Sequence, residues 1–318
     1  MRLFALQATR DFGERVAAQL GCQLAVHEER EFEDGEYKVR PLSAVRGDDV
    51  YVVQSLHGDN NLSAADKLVR LLFFAATLRD HGAARVTAVI PYLAYARKDR
   101  RTQPFDPVTS RYVAQLIEAT GVAVVIAFEV HNVAAFDNAF RILAVHLSSA
   151  AVLVGEIARL VGEGPVVVAS PDPGGTKRAQ LFRESLLSVL GRDCGSAFLE
   201  KRRSSGVVSG TMLAGDVRDA TVVVVDDLIS TGGTLVRAAR ACLEQGARRV
   251  IACAAHGLFT RGADEAMADP ALTEILITDS VPPDRLAPTV RARLRIVSAA
   301  PVFAEAIKAL SAKNARLA

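Results

Sequence analysis

The sequence predicts an α/β protein of two domains, each a mainly parallel sheet flanked by helices, and three observations carry that prediction. Short β-branched runs alternate with longer amphipathic stretches, the pattern of strand–helix–strand units. The chain has 318 residues, too many for one small domain and enough for two that each bury a core. The halves also resemble each other. A strand, polar loop and helix followed by HGAARVTAVIPY in the first half match a strand, loop and helix followed by QGARRVIACAAH in the second. The match reads as a duplication, against the alternative that any two strand–helix–strand units share this much.

Taken in order, the apolar β-branched runs place strands at 3–6, 50–54, 85–90, 122–128, 166–169, 221–225, 250–254 and 274–278. The amphipathic stretches place helices at 11–20, 63–81, 107–120, 149–160, 176–190, 233–245 and 302–312. Gly82 and Gly246 each follow such a stretch, and each is expected to end its helix in the left-handed conformation that glycine tolerates. No low-complexity segment or long linker separates the halves, so the expected boundary is 1–147 and 148–318.

Composition narrows the class of function. Half of the residues are hydrophobic and 23% charged, the profile of a globular chain rather than a disordered one. Lys plus Arg (38) nearly balances Asp plus Glu (36), with short basic clusters at 97–101 and 201–203. That balance argues against nucleic acid as a partner and for a small phosphorylated ligand. The four cysteines are scattered, with no CxxC pair or nearby His in metal-ligand spacing, so neither a disulfide framework nor a zinc site is indicated. No signal peptide and no apolar run near the roughly 20 residues of a membrane span is seen, and the expectation is a cytoplasmic protein that does not enter membranes.

The sharpest local pattern is VVVVDDLISTGGT at 222–234, where a buried strand runs into two carboxylates, followed by a Ser-Thr-Gly-Gly-Thr loop and a helix. In a doubly wound sheet such a loop lies at the carboxyl end of a strand, where ligands bind. Gly232 and Gly233 let backbone N–H groups close on a phosphate, Ser230, Thr231 and Thr234 offer hydroxyls, and the helix N-terminus supplies a positive dipole end. Asp226 and Asp227 are placed to accept hydrogen bonds from sugar hydroxyls or to hold Mg²⁺. The competing reading is a strand-to-helix turn with Asp and Thr as caps.

This stretch resembles the phosphoribosyl-diphosphate signature shared by type I phosphoribosyltransferases and phosphoribosyl diphosphate synthetases (ribose-phosphate pyrophosphokinases). Two upstream segments separate them: EFEDGEYKVR at 31–40 and PYLAYARKDRR at 91–101 resemble nucleotide-binding segments of the synthetases. The resemblance runs from about residue 3 to about residue 308 and implies two tandem type I phosphoribosyltransferase-like domains, 1–147 on the ATP side and 148–318 on the ribose 5-phosphate side. It makes Phe32 an adenine-stacking ring, Asp34 and Glu36 acceptors for the exocyclic amine, and Arg97 a contact to adenine and phosphate. Lys98 stands in place of the family's usual Gln and adds charge beside ATP. FEVHN at 128–132 resembles the family's Asp-Leu-His-Ala segment, which makes His131 an ATP and Mg²⁺ ligand, with Glu129 in place of Asp. SPDPGG at 170–175 resembles the pyrophosphate loop, in which Asp172 holds Mg²⁺ and Gly174 and Gly175 open backbone N–H groups to the diphosphate.

The same resemblance has Lys201 and Arg203 close over the reactants, on a segment whose following SSGVVSG reads as a mobile loop. No further Arg or Asn follows them where bacterial members carry one, and Ser230 stands where many of those carry an acid. The implied reaction is transfer of the β,γ-diphosphate of MgATP to the anomeric hydroxyl of ribose 5-phosphate, giving 5-phosphoribosyl 1-diphosphate and AMP for nucleotide biosynthesis. The family's adenine loop serves a neighbouring subunit, so a homo-oligomer with its site at a subunit interface is implied as well. A catalytically silent regulatory paralogue and a phosphoribosyltransferase are the alternatives.

Overall fold

The computed structural model describes residues 1–204 and 207–315, and side chains outside 200–211 and 313–315. Two compact units emerge, one of Met1–Ser148 with Ala299–Ala318 and one of Ser149–Ser298.

The first unit is built from β1 (Arg2–Ala5), α1 (Arg10–Leu20), β2 (His27–Glu31), β3 (Tyr37–Pro41), β4 (Asp49–Val53), α2 (Ala64–Asp80), β5 (Arg85–Ile90), α3 (Thr109–Ala119), β6 (Val124–Phe128), α4 (Val133–Ala139) and β7 (Leu143–Leu147). Its five-stranded sheet has the order β1-β4-β5-β6-β7 and is parallel throughout, while β2 and β3 form a separate antiparallel hairpin. The strands read as unbroken apolar runs because helices cover both faces: Val50, Tyr51, Val52 and Val53 are all fully buried. Each large side chain so buried stabilises the fold by about 1.5–3 kcal/mol. A capping box starts α2, with the Ser63 hydroxyl accepting from the Asp66 N–H and the Asp66 carboxylate accepting from the Ser63 N–H.

The second unit contains α5 (Ala150–Val161), β8 (Val166–Ser170), α6 (Thr176–Leu190), β9 (Gly195–Ser204), β10 (Val207–Ala214), β11 (Thr221–Ile229), α7 (Gly233–Glu244), β12 (Arg249–Gly257), α8 (Ala263–Met267), β13 (Glu274–Thr278), α9 (Pro288–Arg291) and β14 (Leu294–Val297). Its sheet order is β10-β9-β8-β11-β12-β13-β14, with only β10 antiparallel. The run β8-β11-β12-β13-β14 repeats β1-β4-β5-β6-β7 with every label advanced by seven, and in each unit a hairpin intervenes after the first strand. This shared plan is what a duplication leaves behind. Gly82 (φ +82°) and Gly246 (φ +89°) occupy matching left-handed positions after α2 and α7.

The final helix, α10 (Ala300–Ala315), lies with the first unit rather than with the residues preceding it, as a boundary of 148–318 would have had it. The reason is apolar. The fully buried Phe303 packs edge-on against Phe12 of α1 at 5.3 Å and tilted against Phe128 of β6 at 5.7 Å.

A charged side chain is sealed into the first unit within a polar cluster. Lys67, in the first turns of α2, has no exposed side-chain surface; its Nζ lies 2.5 Å from Asp59 Oδ2 and 3.2 Å from His57 Nε2. The His57 ring in turn meets the Ser55 hydroxyl at 3.0 Å, and the Ser55 N–H donates to Thr9 Oγ1 at 3.0 Å. Among the described residues no helix is long and apolar enough to cross a membrane, and none of the four cysteines is in a disulfide.

Candidate functional site

In the second unit the sheet reverses direction of growth between β8 and β11: β8 continues to β9 on one side, β11 to β12 on the other. Loops leaving the carboxyl ends of two such adjacent parallel strands line a ligand crevice. Those loops are 170–175 and 230–232, two of the segments singled out in the sequence.

β11 runs further than its apolar stretch, to Ile229, because Asp226 and Leu228 stay in register with Ala254 and His256 of β12. Both carboxylates therefore sit on a rigid strand. Asp227 is 4% exposed, and its N–H donates to Asp226 Oδ1 at 2.9 Å. Arg178, from the first turn of α6, reaches across with its NH1 3.7 Å from Asp226 Oδ1 and 3.6 Å from Asp227 Oδ1. Burial, then the hydrogen bond and charge of Asp227, raise the Asp226 pKa above the ordinary carboxyl range, and Arg178 opposes the rise.

The loop after β11 is clamped from β12. The Leu258 and Phe259 N–H groups donate to the Ile229 carbonyl, and Thr260 N–H donates to the Ser230 carbonyl, all at 3.0 Å. The Ser230 hydroxyl meets the Thr260 hydroxyl at 3.0 Å, so it faces the clamp. Gly232 caps α7 with φ +79°, and a Cβ there would fall 2.4 Å from Met267 Cε and 2.8 Å from Ala266 Cβ. Thr231 is exposed, and Gly233 and Thr234 are half-buried at the helix start. Arg237 bends back to donate from its NH2 to Thr234 Oγ1 at 3.1 Å.

In the loop after β8, Asp172 Oδ1 accepts from the Gly175 N–H at 3.0 Å, and the Ser170 hydroxyl donates to the Asp172 carbonyl at 2.6 Å. Gly175 admits no side chain, since a Cβ would lie 2.7 Å from Ser170 Oγ; at Gly174 it would lie 3.2 Å from Asp172 Oδ1. Of the segment expected as a mobile loop, residues 205–206 lie outside the described residues, and those on either side belong to the antiparallel pair β9 and β10, with Lys201 opposite Thr211 and Arg203 opposite Val208. The extended backbone pairing outweighs the small polar composition that suggested a loop. The side chains of Lys201 and Arg203 lie outside the described residues.

In the first unit the FEDGE segment is the turn of the β2–β3 hairpin. Phe32 N–H donates to the Glu36 carbonyl at 2.8 Å, and the Asp34 carboxylate accepts from the Glu36 N–H at 3.1 Å. Phe32 is 38% exposed, with the Arg30 guanidinium over its ring at 4.7 Å. The hairpin stands on Glu29, which meets His27 and accepts from Tyr37 OH, each at 2.8 Å, and accepts from the Gln7 N–H. Burial alone would raise the Glu29 pKa, but these hydrogen bonds lower it.

The segments after β5 and β6 also leave adjacent parallel strands, and Asn132 Nδ2 donates to Asp99 Oδ2 at 2.6 Å to tie them together. Glu129 is 7% exposed with φ +40°, while His131 is exposed. Arg97 and Arg100 are exposed and, among the described residues, have no ion-pair partner. Lys98 Nζ lies 2.5 Å from Asp106 Oδ2, so its charge is matched by an acid and it braces the loop. Lys98, with Thr102 and Gln103, holds the Asp106 carboxyl well below the usual range.

Two family models match the chain: the N-terminal domain of ribose phosphate pyrophosphokinase over residues 1–121, and the phosphoribosyl transferase domain over residues 146–278. A ribose-phosphate pyrophosphokinase of Haemophilus ducreyi (strain 35000HP / ATCC 700724) is 36% identical over 98% of this chain and 96% of its own. The chain belongs to the ribose-phosphate pyrophosphokinase family. Another ribose-phosphate pyrophosphokinase, from Gloeobacter violaceus, is 37% identical over 96% of this chain and 89% of its own. The crystal structure of phosphoribosylpyrophosphate synthetase from Mycobacterium smegmatis matches with TM-score 0.87 at 30% identity, covering 98% and 99% of the two chains. As a ribose-phosphate pyrophosphokinase the chain is an enzyme, a transferase of nucleotide biosynthesis. Its two phosphoribosyltransferase-like sheets are the family's fold.

Sequence reading missed Arg178, Thr260 and Arg237. Arg178 follows the pyrophosphate-loop motif by only three positions, which was a signal, but its link to Asp226 exists only because β8 and β11 pair.

Proposed function

We propose that residues 226–234 hold ribose 5-phosphate, that residues 170–175 hold the diphosphate being transferred, and that Phe32, Asp34, Glu36, Arg97, Lys98 and His131 hold ATP. The observation that carries this reading is the meeting of two glycine-containing phosphate loops with the Asp226–Asp227–Arg178 group at the β8/β11 switch point. The first unit is then the ATP side and the second the ribose side.

The anomeric hydroxyl oxygen of ribose 5-phosphate attacks the β-phosphorus of ATP, and the bond from that phosphorus to the α-phosphate oxygen breaks, so AMP leaves. Such a transfer needs alignment and charge neutralisation more than covalent help. Asp226 and Asp227 accept hydrogen bonds from the sugar diol. The 230–234 backbone N–H groups, with the Thr231 and Thr234 hydroxyls, take the 5-phosphate against the α7 N-terminus. Lys201 and Arg203 stabilise charge on the transferred group.

Mg²⁺ fits as a cation brought in on the nucleotide rather than caged by protein. Among the described residues no three His, Cys, Asp or Glu side chains gather as a metal site, and Mg²⁺ needs only one or two protein ligands beside phosphates and water. In the second unit Asp172, with only Oδ1 used in its turn, would offer a carboxylate oxygen to it, and in the first unit the exposed His131 would offer a ring nitrogen; the cation would neutralise triphosphate charge. A homo-oligomer whose neighbouring subunit supplies the Phe32 loop, working in the cytoplasm, completes the proposal.

The test is to incubate purified protein with MgATP and ribose 5-phosphate and measure AMP together with a product that supports orotate phosphoribosylation. Both should form, and Lys201→Ala should slow them about 100-fold or more. A chain that makes neither is a silent paralogue.

A further inference from the structure

We propose that Arg237 is an additional ligand of the substrate's 5-phosphate, a guanidinium closing over the outer side of the cradle. The inference rests on the assignment of residues 230–234 to that phosphate and extends it to a residue one turn into α7.

Arg237 lies on the exposed face of α7. Helical side chains lean toward the N-terminus, so a long one at this position covers the first turn. Two separate distances place its head group there. NH2 donates to Thr234 Oγ1 at 3.1 Å, and NH1 lies 3.4 Å from the point where Gly233 would carry a Cβ. The guanidinium therefore stands over the Gly233–Thr234 edge, where the backbone N–H groups of the helix start are unpaired.

Among the described residues its charge has no counterpart. Among the described residues Arg237 makes no ion pair, whereas Arg240, one turn further along the same face, pairs with Asp269 at 2.6 Å. A cation near a helix N-terminus faces the positive end of the dipole and is disfavoured unless an anion joins it. A phosphate monoester supplies that anion.

The hydrogen-bond direction suits the same ligand. Because Arg237 donates to the Thr234 oxygen, the hydroxyl's own proton is left to donate onward to a phosphate oxygen. Guanidinium offers two parallel N–H groups to an anion, which a lysine ammonium cannot do. Ser230 adds no negative charge, and its hydroxyl is engaged with Thr260.

The test compares steady-state kinetics of Arg237→Ala, Arg237→Met and Arg237→Lys with the parent, alongside calorimetric titration of ribose 5-phosphate onto the ATP-free protein. Loss of a charge-assisted contact should raise KM and Kd for ribose 5-phosphate about 10- to 100-fold in the Ala and Met variants. KM for ATP should move less than about twofold and kcat less than about threefold, because only ground-state sugar binding is touched. Arg237→Lys should fall between parent and Ala. An unchanged KM and Kd for ribose 5-phosphate in both Ala and Met variants overturns the proposal. Thr231→Ala is the companion control: if it weakens ribose 5-phosphate while the Arg237 variants do not, the cradle stands and Arg237 is merely a surface side chain. If Thr231→Ala is also neutral, the cradle assignment fails with it.

Discussion

Lys67 and Asp59 show how one residue's burial sets another's acidity. Lys67 has no exposed side-chain surface, whereas Asp59 keeps 31% of its own. Removing the acid takes the carboxylate at 2.5 Å from a buried ammonium and leaves His57 Nε2 beside it. Asp59→Ala should therefore cost about 2–4 kcal/mol in chemical denaturation, the lower end reflecting Asp59's solvent contact. Burial raises the Asp59 pKa, but Lys67 and the Leu62 and Asn61 N–H groups win and bring it to about 2. With the folded pKa depressed, the stabilisation is present above the unfolded value near 4 and is lost as pH falls through about 2. Asp59→Asn should flatten that acid limb of the stability curve.

Asp226 carries the opposite sign. Its raised folded pKa means the ligand-free fold binds a proton more tightly than the unfolded chain, so stability falls as pH rises above about 4. Melting of Asp226→Asn should depend less on pH between 5 and 8, roughly the range where most of that loss accrues. Arg178 moderates the same pair. Arg178→Ala should raise KM for ribose 5-phosphate about tenfold or more through disordered carboxylates, with Arg178→Lys restoring part of it.

At the scale of elements, the cradle depends on one close approach. Gly232 combines φ +79° with contact to α8, so Gly232→Ala should cost about 1–3 kcal/mol and weaken ribose 5-phosphate binding, read by melting temperature and KM. The cradle was legible in the sequence because its glycines, hydroxyls and carboxylates are contiguous. What surrounds it was not. Thr260 lies 30 residues from Ser230, and only the β11–β12 pairing brings it near. β11 looked as though it ended at Val225 because Asp226 and Asp227 break its apolar run, although the ladder to β12 continues. β9 and β10 were hidden for a related reason: SSGVVSG has the small polar residues of a loop, and strand pairing does not depend on them. The partner of Lys98 was not legible either, since Asp106 lies beyond the motif that drew attention to Lys98.

At the scale of the molecule, the two sheets share a strand plan, and the differences between them carry function. The hairpin after the first strand stands apart in the first unit and joins the sheet in the second. The α10 helix gives the first unit a closure that the second lacks. Phe303→Ala should cost about 3–5 kcal/mol, with faster amide exchange in α1 and β6 and no change across 149–298. This closure also orders events during synthesis. Lys308 bonds the Gln19 carbonyl across 289 residues of chain, so a ribosome that has released β1–β7 has not yet made the helix that seals Phe12 and Phe128. The second unit is contiguous and can collapse as soon as it clears the exit tunnel. The half translated first is therefore the last to be completed, and the nascent chain presents an aromatic patch that a holdase chaperone could cover until α10 arrives.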